Sequence, residues 1–216
     1  MQVISVNVAL PREIEIKGRM VSTGIFKLPV SGVVRVRTLN LDGDRQADLT
    51  VHGGVDKAVY LYPSEHYSFW RQELEMPLTW AAFGENLTTE GLTETSICIG
   101  DQLGIGSVVL QVTQPRLPCF KLAAKLQRDD IIKRFLDCRR TGFYTKVLKE
   151  GTLQSGDPIM LLQQDGAHIS IHELTELYVT KLPQPSQIRR VLSIPALAMS
   201  WREHFRKLLA AAESEG

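Results

Sequence analysis

The chain has 216 residues, of which 44% are hydrophobic and 23% are charged, and its formal net charge is +1 at pH 7. This composition is that of an ordinary soluble protein, and the length allows one large domain or one domain with a small appendage. The small net charge gives no overall attraction to nucleic acid or to an anionic membrane, so a basic site would have to be local.

Other whole-chain features predict a cytoplasmic protein. No apolar run approaches the roughly 20 residues that a membrane-spanning helix needs. Residues 1–8 alternate in polarity instead of forming a secretory signal. The three cysteines, Cys98, Cys119 and Cys138, are widely spaced and match neither a disulfide framework nor a zinc-binding pattern. A reducing compartment suits them best.

In chain order, the first two thirds of the sequence predict short strands separated by turns. Strand-like runs, alternating in polarity or rich in β-branched and aromatic residues, occur at residues 1–9, 32–39, 58–62, 107–113 and 158–163. Glycine, aspartate and proline mark the turns between them. We therefore predict a mainly β fold with peripheral helices, built on a closed or nearly closed antiparallel barrel.

Three predicted helices interrupt these strands. The first follows a Ser64 cap, the second follows Cys119, and the third starts at Asp130. In the second and third, apolar residues recur at the spacing that places them on one face of a helix.

The pattern of the sequence changes after residue 165. A capping box at residues 170–173 and prolines at positions 183, 185 and 195 predict three short helices. We therefore predict two domains, a β-barrel domain at residues 1–165 and a C-terminal three-helix domain at residues 166–216. The helical tail is too small to be stable unless it packs on the barrel or on a partner.

Cys119 is the most informative residue of the chain. It lies between a predicted strand and a predicted helix in the segment QPRLPCFKL, with Arg116 and Lys121 close by. A thiol acts as a nucleophile or a metal ligand in its thiolate form, which nearby cations and a helix N-terminus favour. The alternative is a buried cysteine that packs as a small hydrophobic residue.

A second candidate segment is ADLTVHGGVDKA, residues 47–58, in which two glycines stand between His52 and Lys57. Paired glycines allow backbone N–H groups to converge on an anion, and lysine and arginine side chains add positive charge. With Arg116, the segment suits a phosphorylated small ligand. The alternative is a tight loop with a solvated Lys57. His52 is either a general base beside Cys119, as in thiol hydrolases, or a structural histidine.

Five segments occur in an order that is more specific than any one of them. They are TGIFK at residues 23–27, VHGGVDKAVY at 51–60, GENL at 84–87, QPRLPC at 114–119 and GD at 156–157. Over residues 1–163 this arrangement resembles the MOSC domain family, and most closely its YiiM-like branch, the bacterial hydroxylaminopurine-resistance proteins. The helical tail resembles the three-helix appendage of that branch.

The resemblance implies a MOSC-type β-barrel that binds the molybdenum cofactor (molybdopterin), a pterin dithiolene that carries a phosphate. Cys119 corresponds to the family cysteine and would be both the catalytic residue and the molybdenum ligand, in keeping with the softness of a thiolate. Local cations would meet the phosphate and the pterin. Carried over by segment, the candidate cofactor-binding residues are Lys27, His52, Gly53, Lys57, Asn86 and Arg116.

The resemblance also implies an activity, the reduction of N-hydroxylated base analogues such as 6-hydroxylaminopurine to the amine. The sequence has no recognisable flavin or nicotinamide fingerprint, so we expect electrons from a separate NADPH-dependent flavoprotein. The expected partners are this donor and an N-hydroxylated purine or related small molecule, without nucleic acid or membrane. Three alternatives stay open: a persulfide sulfur carrier using Cys119, a non-catalytic binder of phosphorylated ligands, and a Cys119–His52 hydrolase.

Overall fold

A computed structural model of the chain describes residues 1–47, 53–180 and 183–214. Its strands are β1 (Gln2–Val8), β2 (Arg12–Ile16), β3 (Arg19–Thr23), β4 (Leu28–Val30), β5 (Val34–Val36), β6 (Val59–Pro63), β7 (Leu87–Glu90), β8 (Gln102–Ile105), β9 (Val108–Pro115), β10 (Phe143–Lys149), β11 (Gly151–Leu153) and β12 (Ile159–Gln163). Its helices are α1 (His66–Leu74), α2 (Phe120–Leu126), α3 (Ile131–Asp137), α4 (Ile171–Val179), α5 (Pro185–Leu192) and α6 (Met199–Ser214), and Val55–Lys57 form a 3-10 turn. Within the described ranges, no helix is long and apolar enough to cross a membrane.

Eight of the strands form one mixed sheet in the order β12-β8-β9-β10-β6-β7-β1-β4. Neighbours in it are antiparallel except β6 and β7, which run parallel. The parallel pair follows from the connection between them, because helix α1 carries the chain back so that β7 starts at the same end as β6. The pairs β2–β3 and β5–β11 form two further small sheets.

The predicted mainly β fold with peripheral helices is confirmed. We predicted a closed or nearly closed antiparallel barrel, and the sheet is not fully closed and contains one parallel pair. In the described part of the chain β12 and β4 are the two edges of the large sheet. One isolated bridge, between Gln2 of β1 and Pro158, approaches closure. β4 already pairs with β1 at Val6, Asn7 and Val8. Only the first residues of β1 are therefore left to pair with the segment around Pro158.

The C-terminal helices pack on the sheet, as expected for a segment too small to be stable alone. Ile171 and Leu174 of α4, Val191 of α5 and Phe205 of α6 belong to the same buried core as Leu110 of β9. Burial of these apolar side chains is the main favourable term that holds the tail in place. The predicted domain boundary at residue 165 stays a prediction.

A second core holds helices α1, α2 and α3 against β6. Trp70 of α1, Leu122 of α2 and Phe135 of α3 pack around Tyr62 of β6. The Trp70 indole N–H donates to the Tyr62 hydroxyl at 2.6 Å, so this buried donor is satisfied. Because α2 starts directly after Cys119, this core positions the helix that presents the thiol.

The two predicted helix caps have different outcomes. Ser170 caps α4 as predicted, since its hydroxyl accepts a hydrogen bond from the Glu173 N–H at 3.0 Å. The cap predicted at Ser64 is wrong, because α1 begins at His66 and no side chain caps its first turn. The Ser64 N–H donates to the Thr89 carbonyl at 2.7 Å. Ser64 thus extends the β6–β7 pairing instead of opening the helix.

Gly142, directly before β10, is a position that requires glycine. Its φ is 61°, and a Cβ there would lie 2.5 Å from the Leu61 carbonyl oxygen and 2.8 Å from the rings of Tyr60 and Tyr62. We expect Gly142→Ala to lower the free energy of unfolding by about 3 kcal/mol or more, through backbone strain and steric overlap.

The control is Gly156→Ala, because Gly156 has a φ of 89° but no atom within 4 Å of the added Cβ. Backbone strain alone predicts a loss of about 1 kcal/mol. Urea denaturation measures both changes, and equal losses would contradict the steric argument for Gly142.

Candidate functional site

The candidate site is a solvent-open pocket with a cavity volume of about 90 Å³. Its walls are the segment between β3 and β4, residues 44–47, the turn before β7, and the loop from β9 into α2, with single side chains from β6 and β10. It brings together five of the predicted residues, which are Lys27, Lys57, Asn86, Arg116 and Cys119.

Two other predicted residues are not placed at the pocket. Gly53 is described but does not line the pocket, and His52 lies outside the described residues. The neighbouring Gly54 has a φ of 95°, a conformation that favours glycine. Gly54 therefore forms a tight turn, while the predicted convergence of N–H groups on an anion stays a prediction.

Cys119 lies at the junction of strand and helix, as predicted. Its backbone is extended, with φ −131° and ψ 170°, and its carbonyl accepts the Leu122 N–H at 2.9 Å in the first turn of α2. The residue is half-buried and lines the pocket. It is therefore not sealed in the apolar core, although its role as a ligand or nucleophile stays a prediction.

Arg116 has the most informative environment in the pocket. It is 4% exposed, and its guanidinium lies 5.5 Å from the ring centre of Tyr60 and 5.4 Å from that of Phe135. The Tyr144 hydroxyl also lies close to the guanidinium. Its Nη1 is buried and has no hydrogen-bond acceptor among the described residues. A buried donor without an acceptor is costly, so this atom indicates a ligand acceptor in the pocket.

Lys27 and Asn86 belong to one polar network with Asp44. Lys27 forms a buried ion pair with Asp44, and the Asn86 side-chain amide donates to the same carboxylate at 2.9 Å. The Asn86 side-chain oxygen accepts the Tyr60 N–H at 3.1 Å. Burial lowers the pKa of Lys27, although Asp44 opposes the shift. These contacts give Lys27 and Asn86 a role in shaping the pocket wall.

Asp44 was not predicted from the sequence. It lies in the segment NLDGD, residues 40–44, which reads as an ordinary turn. A signal was present, because a lysine in the apolar run of residues 23–30 needs a partner if it is buried.

The turn before β7 is organised by Glu85. This fully buried carboxylate accepts the Ala81 N–H at 3.0 Å, the Phe83 N–H at 3.1 Å and the Thr88 hydroxyl at 3.0 Å, and it also pairs with the Tyr67 hydroxyl. Its lone pairs are thus taken by the turn itself. This arrangement fixes the wall that carries the neighbouring pocket residues.

Tyr60 and Tyr144 add an aromatic surface that the sequence analysis missed. Their ring centres lie 5.1 Å apart, and both residues line the pocket. The Tyr60 hydroxyl donates to the Thr141 carbonyl at 2.8 Å, and burial raises the pKa of Tyr144 while Arg116 opposes the shift. The two rings give the pocket a partly aromatic lining.

Comparison with known proteins gives the family. The MOSC domain matches residues 48–160, and the YiiM-like, 3-alpha helix domain matches residues 169–212. The chain belongs to the MOSC domain family. The resemblance seen in the sequence, including the YiiM-like branch, is therefore confirmed.

Three curated relatives are similar to the chain over different shares of their length. Identity is 43% to the uncharacterized protein YflK of Bacillus subtilis (95% of this chain, 93% of that protein). It is 34% to protein YiiM of Escherichia coli (86% and 84%). A protein named reductase from Gibberella moniliformis is 36% identical over 68% of this chain, but the match covers only 27% of that protein.

A solved structure agrees with the whole architecture. The crystal structure of YiiM from Geobacillus stearothermophilus has a TM-score of 0.83 and is 38% identical, and the match covers 96% of this chain and 98% of that one. Coverage this complete includes both the sheet and the C-terminal helices.

Because Lys125 of α2 is buried, we expect the stability of the protein to depend on pH. Burial lowers the pKa of Lys125 to about 8 from the ordinary value of 10.5, with Lys27, Arg116 and Arg12 adding to the shift and Glu85 opposing it. Between these pH values the unfolded chain holds more protons than the folded protein, so folding becomes more favourable as the pH rises.

Between about pH 8 and 10.5, the free energy of unfolding of the wild-type protein should rise by about 2 kcal/mol relative to that of Lys125→Met, after allowance for partial solvent screening. Denaturant unfolding at a series of pH values measures the difference, and the shifts of other lysines cancel in it. Parallel pH curves for the two proteins would refute the assignment.

Proposed function

We propose that this protein is a cytoplasmic, molybdenum-cofactor-dependent reductase of N-hydroxylated base analogues such as 6-hydroxylaminopurine. Membership of the MOSC domain family and the distant relative named reductase support a cofactor-dependent oxidoreductase. The observation that carries the proposal is one pocket that combines the Cys119 thiol with a buried Arg116, whose Nη1 finds no acceptor in the described ranges.

The chemistry of the pocket fits the molybdenum cofactor. A protein that binds zinc by itself uses three or four side-chain ligands, and the described residues contain no group of three or more His, Cys, Asp or Glu that could do so. The cofactor brings its own dithiolene sulfurs, so a single protein thiolate suits it. Its phosphate is an acceptor of the kind that the Arg116 Nη1 lacks.

Each pocket residue then has a stated task. Cys119 would bind the molybdenum, while Arg116 and Lys57 would bind anionic groups and offset their charge. The rings of Tyr60 and Tyr144 would contact a planar heterocycle. When bound, the cofactor would supply a two-electron redox centre for the reduction.

The proposed reaction is R–NHOH + 2 H⁺ + 2 e⁻ → R–NH₂ + H₂O. The N–O bond breaks, the nitrogen is reduced to the amine, and the oxygen leaves as water. The electrons would come from a separate NADPH-dependent flavoprotein, in keeping with the absence of a flavin or nicotinamide fingerprint in the sequence.

Cys119→Ser tests the proposal. We expect the molybdenum content of protein made in a cofactor-producing host to fall at least about tenfold, because a hydroxyl is a harder and less readily ionised ligand than a thiol. Reduction of 6-hydroxylaminopurine, driven by dithionite-reduced viologen, should fall at least as far. Mass spectrometry of the metal and chromatography of the product measure the two quantities.

Cys98→Ser is the matched control, because Cys98 does not line the pocket, and both quantities should match the wild type. If the wild-type protein carries no molybdenum but holds a cyanide-labile sulfur on Cys119, the result would refute the proposed reductase and favour a sulfur carrier. If the protein carries no molybdenum and Cys119→Ser binds phosphorylated ligands as well as the wild type does, the result would indicate a non-catalytic binding domain.

Arg116→Met tests the residue whose Nη1 lacks an acceptor. Removal of a poorly satisfied buried cation should leave the unfolding free energy of the cofactor-free protein unchanged or raise it by about 1 kcal/mol. The molybdenum content should fall about tenfold, as expected when a charge-assisted hydrogen bond to the ligand is lost. A strongly destabilised variant, or one that keeps the metal, would contradict this role.

A further inference from the structure

Lys125 joins two separate walls of the pocket. Its Nζ donates to the Ile25 carbonyl at 2.8 Å and to the Ala81 carbonyl at 2.5 Å. Ile25 lines the pocket on one side, and residues 83–84, which follow Ala81, line it on another. One ammonium group thus bridges segments that lie more than fifty positions apart in the chain.

The two walls are also in close contact at a second point. Gly84 has a φ of 82°, and a Cβ at this position would lie 2.6 Å from the Ile25 Cγ1. The contact leaves no room for a larger residue, so the spacing of the walls is tightly defined here. The hydrogen bonds of Lys125 act on the same two segments.

The helix that carries Lys125 also presents Cys119. Cys119 precedes the first residue of α2, and Lys121, one turn before Lys125, donates its Nζ to the Ser22 carbonyl at 2.9 Å. Residues four apart lie on the same face of a helix. One short helix therefore connects the thiol to the segment at residues 22–25 and to the turn at residues 81–84.

We propose that Lys125 is a positioning residue of the site, which holds these two walls at the separation that an anionic ligand beside Cys119 requires. The proposal rests on the proposed function for the nature of the ligand. Lys125 acts through the walls, since it does not itself line the pocket. A lysine suits this task because its three N–H donors can serve two carbonyls at once.

The burial of this amine is difficult to explain by packing alone. Three cations, Lys27, Arg116 and Arg12, lie close enough to disfavour its charge, and Glu85 is the carboxylate that offsets them. A long apolar side chain would fill the same space without this penalty. The two carbonyl contacts account for the presence of an amine.

The first experiment measures hydrogen exchange in ligand-free protein at neutral pH. In Lys125→Met, peptides covering residues 19–27 and 79–86 should exchange about tenfold faster than in the wild type, because a charged hydrogen bond no longer opposes local opening. The control is Lys133→Met on α3, an exposed lysine paired only with Asp137 in the described ion pairs, which should leave both peptides unchanged.

The second measurement is the molybdenum retained after gel filtration, which should fall about fivefold in Lys125→Met if wall spacing governs ligand binding. Unchanged exchange in a folded Lys125→Met protein would overturn the proposal, and so would faster exchange with full retention of molybdenum. If Lys125→Met does not fold, Lys125→Gln, which is too short to reach both carbonyls, carries the same expectations.

The two proposals fail separately. Wild-type protein without molybdenum refutes the proposed reductase, and the exchange rates then decide by themselves whether Lys125 holds the walls together.

Discussion

The buried positive charge of Arg116 is the constraint around which the pocket is arranged. A cation that is 4% exposed normally needs a carboxylate partner. Here the fold supplies the ring faces of Tyr60 and Phe135 and the nearby hydroxyl of Tyr144. These neighbours offset part of the desolvation cost without neutralising the charge. The guanidinium therefore keeps its capacity to bind an anion.

The carboxylates near the pocket are already engaged by its walls. Asp44 is held by Lys27, by the Asn86 amide and by the Ala9 N–H at 2.9 Å, and Glu85 is held by the turn that contains it. Because these negative charges serve backbone and side-chain donors of the walls, the cavity itself stays positive. A chain with a net charge of +1 thus builds a cationic site by local arrangement rather than by composition.

The parts of the site that could be predicted lie in short segments whose residues are close in sequence. Cys119 and Arg116 are three positions apart, and a strand, two prolines and a helix were enough to place them at a junction. Contacts such as Lys27 with Asp44, or Lys125 with Ile25 one hundred positions away, depend on how distant segments meet. Periodicity and turn residues carry no information on that arrangement.

The errors in the predicted fold have the same origin. Alternating polarity identified strands correctly, but it does not determine which strands are neighbours, and closure of the barrel depends on the side of β1 that β4 occupies. Tyr144 could not be placed in the pocket without knowing that β10 lies between β9 and β6. A Ser64 cap was reasonable locally, but Ser64 extends the β6–β7 pairing and the helix begins two residues later.

A series of hydrogen bonds connects the C-terminal helices to the wall of the pocket. The His172 N–H of α4 donates to the Glu94 carbonyl at 2.9 Å, and the Glu94 carboxylate accepts the Gly142 N–H at 2.7 Å. The Gly142 carbonyl in turn accepts the Arg116 N–H at 3.3 Å. None of the described residues of the helical tail lines the pocket. The helical tail therefore supports the backbone of Arg116 through these hydrogen bonds without lining the pocket, and it is joined in this way to the part of the chain that forms the site.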